Sequence, residues 1–149
     1  MTAITPTAET TTVARTSRGT LWGTLAILAG IVFALAGAGT WAAVQTNLAQ
    51  EKITVAGDAP YFAGQTVDGP LTAFVQAEVI NTHYLDSTGG RTYAELDRDD
   101  PLRDVAMNAS FLRASLFTSV VSFGVALMAM GLGATLTLAG IGIRANAKA

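Results

Sequence analysis

The chain contains no cysteine, one histidine and few charged residues, and each shortage removes a class of function. Without cysteine there is no disulfide, no zinc–thiolate centre, no thiol nucleophile and no lipid attachment through a lipobox. One histidine is poor supply for a metal centre, which converges three or four ligands and commonly uses more than one imidazole. Charged residues make up 13% of 149 positions, against about 25% in an ordinary soluble domain. A net charge of −2 offers no basic face for nucleic acid. Neither a cofactor nor a nucleic-acid partner is therefore expected.

The remaining charge is unevenly placed. No residue is charged between Arg18 and Glu51, and none between Arg113 and Arg144. The first gap holds the apolar block Leu21 to Val44, "LWGTLAILAGIVFALAGAGTWAAV". As a helix it rises about 36 Å, enough for a hydrocarbon core of about 30 Å. Trp22 and Trp41 stand near its ends, where indoles favour the membrane interface. The same block, behind Arg15 and Arg18 and ending in "ALAGAG", also has features of a secretory signal. Its uncharged run is longer than the roughly 7–15 residues of a signal's apolar core, which favours a retained span. The second gap holds Ala114 to Ile143, about 45 Å if helical, so that helix tilts or projects beyond the bilayer.

These blocks divide the chain into a disordered tail (1–20), a first span (21–44), an outer segment (45–113), a second span (114–143) and a short tail (144–149). Arg15, Arg18, Arg144 and Lys148 flank the spans, so the positive-inside rule places both termini in the cytoplasm. The outer segment carries ten acidic residues and five basic ones. In it, "EKITVAGDAPYFAGQTV" mixes strand-like pieces with breaks at Gly57, Pro60 and Gly64. A helix is expected from Pro70, which suits a first helical position, to the stop at Gly89 and Gly90. Thr92 and Glu95 have capping-box spacing. Asp100 before Pro101 reads as the cap of a helix that runs on into the second span. The expected fold is mainly α: a two-helix transmembrane hairpin bearing a small extracytoplasmic cap, α-rich or α+β, with the second helix extended outward. Ile53, Tyr61, Phe62, Phe74, Val79 and Leu96 are the candidate core of that cap.

Candidate chemistry is sparse. His83 shares a helix face with Asp86, yet it has no second imidazole and the chain has no G-x-S-x-G elbow. A solvated helix histidine is the plainer reading. Glu78 falls inside the apolar arc of Leu71, Phe74, Val75, Val79 and Leu85. There it needs a partner, such as Arg91 or Arg103, or a path to water. Glu78 and His83 are the candidate partner contacts. Asp97 and Asp99 match two positions of a calcium loop that lacks its glycine and distal glutamate, so the acidic run reads as hydrated surface. Asn108–Ser110 is an acceptor sequence for glycosylation, but it falls in an expected helix near the bilayer.

The spans carry rows of small residues that let helix backbones approach closely. Ala26, Gly30, Ala34, Ala38 and Ala42 recur every four residues in the first. Thr118, Ser122 and Ala126 do so in the second, and Gly133 lies on a shifted row. One row suffices to pack the hairpin; the other could face a partner or a second copy. Neither span contains an ionisable side chain, so the usual marks of an ion pathway or proton relay are absent.

This layout, with "EKITVAGDAPYFAGQTVDGPLTAFVQAEVI" and "GGRTYAELDRDDPLRDVAMNASFLRASLFTSVVSFGVA", resembles a family of small actinobacterial two-span membrane proteins over about residues 20–144. Some members carry the label "aromatic ring-opening dioxygenase". That activity implies iron held by two histidines and a carboxylate, which one histidine cannot supply. The expectation is a structural or accessory subunit of a larger membrane complex, by analogy a respiratory one, in contact with lipid and with a protein partner or further copies. The alternative is a membrane-anchored enzyme or binding module of the cell envelope that uses the 45–113 cap.

Overall fold

The computed structural model describes residues 10–147, and side chains from Arg18 to Ala147. It contains three helices: α1 (Thr10–Gln50), α2 (Pro70–Ser87) and α3 (Arg103–Asn146). Among the described residues there is no strand, only one antiparallel bridge between Thr54 and Thr66. Both α1 and α3 are long and apolar enough to cross a membrane, and only 17% and 22% of their most apolar windows is buried. Residues 1–9, half of the expected disordered tail, lie outside the described residues. Helix α1 begins at Thr10, inside that expected tail. No proline follows Pro6 until Pro60, and nothing in the local sequence breaks a helix running back from the apolar block.

The chain divides into two compact units, one of residues 1–38 and 127–149, the other of residues 39–126. In the first, α1 and α3 pack through glycine. A β-carbon on Gly23 would lie 2.8 Å from the Gly140 carbonyl, and one on Gly133 would lie 2.6 Å from the Gly30 carbonyl. Backbones meet directly along this seam, which no larger residue could share. Leu21, Trp22, Leu25, Leu28, Val32 and Leu35 of α1 remain exposed, as do Leu127, Met128, Leu132 and Leu138 of α3. Small residues thus fill the contact and large apolar ones surround it. Hydroxyls inside the helices are satisfied locally: Thr24 donates to the Thr20 carbonyl at 2.7 Å and Thr137 to the Gly133 carbonyl at 2.8 Å. Such back-bonding lets threonine sit in an apolar helix without an unmet donor.

The second unit has a core of large residues. Leu48, Val55, Val67, Leu116 and Phe123 are buried together with Ala73 and Ala77 of α2. Trp41 packs edge-on against Phe123 with ring centroids 4.7 Å apart. It is therefore a packing residue, and only Trp22, 65% exposed, is placed as an interfacial indole would be. A second cluster gathers Tyr84, Leu96, Ala106 and Ala109.

Local chemistry explains how α2 begins and ends. Gly69 N–H donates to the Thr72 hydroxyl at 3.2 Å, and Pro70 occupies the first turn. At the other end Gly89 and Gly90 take φ of +64° and +82°, conformations that L side chains rarely adopt. Gly90 N–H donates to the Leu85 carbonyl at 2.7 Å, closing the helix end. The buried hydroxyl of Thr88 lies 2.6 Å from the Arg91 carbonyl. Thr92 donates its N–H and its hydroxyl to Glu95, and Asp100 accepts from Leu102 N–H at 2.9 Å ahead of α3. The segment from Thr82 to Asp100 is thus a sequence of caps.

Candidate functional site

The site begins with the turn that precedes α2. Val55 N–H donates to the Gln65 carbonyl and Val67 N–H to the Ile53 carbonyl, both at 2.8 Å, drawing two extended pieces together around residues 56–64. Gly64 (φ +74°) and Phe62 (φ +59°) make the reversal. A bulky side chain at positive φ is uncommon and is held by its surroundings. Here Phe62 packs against the buried core while Tyr61 stands 69% exposed. Two contacts tie the turn to α2: Ala56 N–H donates to Gln76 Oε1 at 2.9 Å, and His83 Nε2–H donates to Asp58 Oδ2 at 2.6 Å. The neighbouring imidazole, followed by Asp58's own backbone N–H, holds the Asp58 carboxyl below its ordinary pKa. Likewise the Thr92 N–H, then its hydroxyl, lowers the pKa of Glu95.

Between turn and helix lies an open groove of about 350 Å³. Tyr61, Phe74 and Val79 are among its apolar walls; Asp58, Glu78 and His83 supply its polar groups. Glu78 faces Arg113 of α3 at 3.7 Å, and the Arg113 guanidinium also sits 5.5 Å over the Phe117 ring. Among the described residues no three of His, Asp and Glu converge as metal ligands. The hydroxyls of Ser87 and Thr82 are engaged locally: Ser87 donates to the Tyr84 carbonyl and Thr82 to the Glu78 carbonyl. The arrangement is suited to binding by an apolar surface with an acidic rim.

Several sequence expectations need correction. His83, 53% exposed, meets Asp58, and Glu78, 48% exposed and so open to water, meets Arg113 rather than Arg91 or Arg103. Those two arginines are used within the second unit: Arg91 bridges Asp100 at 3.0 Å, and Arg103 lies 4.1 Å over the Tyr93 ring. The inward face of α2 consists of Thr72, Ala73, Ala77, Val79 and Tyr84; Leu71 and Phe74 are exposed. Of the candidate core, Val79 and Leu96 are buried, Ile53 and Phe62 half-buried, and Tyr61 and Phe74 face out. In the small-residue rows, Gly30 and Gly133 lie in the seam with Ala26 and Ala34 half-buried beside them, while Ala38 and Ala42 are exposed. Ala126 is buried, Ser122 half-buried and Thr118 exposed. The seam residues Gly23 and Gly140 were missed because they recur with Gly30 and Gly133 at seven residues, the spacing of a left-handed helix pair; their signal was in the sequence.

No known protein family, no curated protein and no solved structure matches this chain.

Proposed function

We propose that the chain is a two-span protein of the cytoplasmic membrane, with both termini in the cytoplasm and the 45–113 segment outside as a cap. In this reading it serves as an accessory subunit of a larger membrane complex, by analogy of class a respiratory one, and carries no catalysis of its own. The observation that carries the reading is the distribution of apolar side chains on α1 and α3. Glycines occupy their contact while leucine, valine and phenylalanine remain uncovered. Helices of a water-soluble protein bury their large apolar residues; helices in lipid do the reverse, since only small residues gain from close approach. The resemblance to small actinobacterial two-span proteins fits the same reading.

The test is purification in mild detergent through a tag on the carboxyl terminus. An accessory subunit comes out in fixed stoichiometry with larger membrane subunits. A second reading, an envelope enzyme or binding module, is favoured by the groove beside His83. It predicts that the protein runs alone, and that His83→Ala removes an activity while leaving assembly intact.

A further inference from the structure

We propose that the groove between the 58–62 turn and α2 binds a short segment of a partner polypeptide, one in which a large apolar or aromatic side chain adjoins a lysine or arginine. The proposal rests on the accessory-subunit reading and supplies the chemistry by which such a subunit would hold its partner.

Presentation of the apolar surface comes first. Tyr61 and Phe74 line the groove while 69% and 46% exposed. Their exposure is built in. Phe62 adopts φ +59°, which turns its own side chain to the core and leaves Tyr61 outside, and the Asp58–His83 contact at 2.6 Å fastens that turn to α2. Backbone strain of this kind is characteristic of ligand clamps, and exposed aromatic residues are the usual anchors of protein interfaces.

Charge selects the occupant. Asp58 contributes a carboxylate from the turn and Glu78 one from the helix. The His83 imidazole already donates its Nε2–H to Asp58. Arg113 approaches Glu78 only to 3.7 Å, longer than the roughly 2.7–2.9 Å of a charge-assisted hydrogen bond, so Glu78 retains capacity for an incoming donor. A lipid acyl chain would press both carboxylates against hydrocarbon and strip the water from Glu78, whose one ion pair, with Arg113, is long. A second copy would bring its own outer segment, with ten acidic and five basic residues, against this acidic rim, and like charges oppose docking. A basic group attached to an apolar one satisfies walls and rim together. The volume of about 350 Å³ suits one such side-chain pair, at the small end of the roughly 300–1,000 Å³ of ligand sites.

The test uses the full chain in nanodiscs, because detergent would compete for the groove. The probes are two short fluorescent peptides with a central Trp, one flanked by Lys and Arg, the other by Glu, followed by anisotropy. The basic peptide should bind and the acidic one should not. Tyr61→Ala should weaken binding by roughly thirtyfold, as loss of an aromatic anchor does. Glu78→Gln should weaken it about tenfold, the effect of removing one charged hydrogen-bond partner, and Glu78→Lys should transfer preference towards the acidic peptide. These positions are exposed, and far-UV circular dichroism of each variant checks that α2 persists. Equal binding of both peptides would assign the groove to an uncharged apolar occupant and overturn the proposal. So would failure of the basic peptide to bind, or self-association dissolved by Tyr61→Ala, which would assign the groove to a second copy. Charge-selective peptide binding by a protein that purifies alone would refute the accessory reading and leave the groove standing. Stoichiometric co-purification with groove-independent peptide behaviour would do the opposite.

Discussion

Replacing Gly30 by alanine should part the helix pair built from residues 18–38 and 127–147. The new methyl group would lie 2.6 Å from the Gly133 carbonyl oxygen and 2.7 Å from the Thr137 nitrogen. Both are backbone atoms, so no rotamer change relieves the clash. Ordinary contact requires the helices to separate by about 1 Å, and a gap of that size forfeits up to about half of each dispersion contact along the seam. Overpacking of this kind costs roughly 1–3 kcal/mol. Gly131 is the control, because a β-carbon there meets nothing within 4 Å. Alanine at that position should be neutral or stabilise the helix by up to about 1 kcal/mol. The two variants should therefore differ by about 1–4 kcal/mol. The assay is unfolding in mixed dodecyl maltoside and SDS micelles, with a dye pair on cysteines introduced at Leu21 and Ile143, both exposed. The native chain has no cysteine, so labels go only there. Equal midpoints for Gly30→Ala and Gly131→Ala would refute the seam.

Further expectations concern the second unit. Phe123→Ala removes a side chain that is 1% exposed and holds the Trp41 ring; it should cost roughly 3–5 kcal/mol, read by thermal melting in nanodiscs, with a change in Trp41 emission. Thr88→Val leaves the Arg91 carbonyl without its buried donor and should cost about 1–3 kcal/mol in the same melt. Because Asp58 and Glu95 have depressed carboxyl pKa values in the folded chain, their contacts are fully present above the ordinary carboxylate range of about 4. They are lost as pH falls through the lower folded values. Amide protection, measured against the intrinsic exchange rate at each pH, should fall in the 56–64 turn and at 92–95 over that acid window, and His83→Ala should lower the turn's protection at neutral pH. A carboxyl titration of Asp58 at or above the ordinary value would contradict this.

Helix placement was legible wherever punctuation residues have a backbone reason to be where they are. Pro70 lacks an N–H that the first turn does not need, Gly89 and Gly90 accept positive φ, and Asp100 caps the approach to α3. The long apolar blocks were legible from the absence of charge. Orientation was less so. Ranking the faces of α2 by large side chains points to Leu71 and Phe74, but the helix lies inward on Ala73 and Ala77, where small residues permit close approach. The same bias towards a four-residue row hid Gly23 and Gly140. Pairings across distance were not legible at all. His83 and Asp58 are 25 residues apart, and only the fold of the intervening turn brings them together. The groove follows from that turn and could not be read before it.

The central claim is that α1 and α3 cross the membrane and hold the 45–113 segment outside. It is tested most directly by cysteine accessibility in intact cells, using Asp99→Cys and Asn146→Cys in the otherwise cysteine-free chain. A membrane-impermeant maleimide should label Asp99→Cys in intact cells and Asn146→Cys only after permeabilisation, with both proteins retained in carbonate-washed membranes. Labelling of Asn146→Cys in intact cells, or release of the chain by carbonate, would contradict the account.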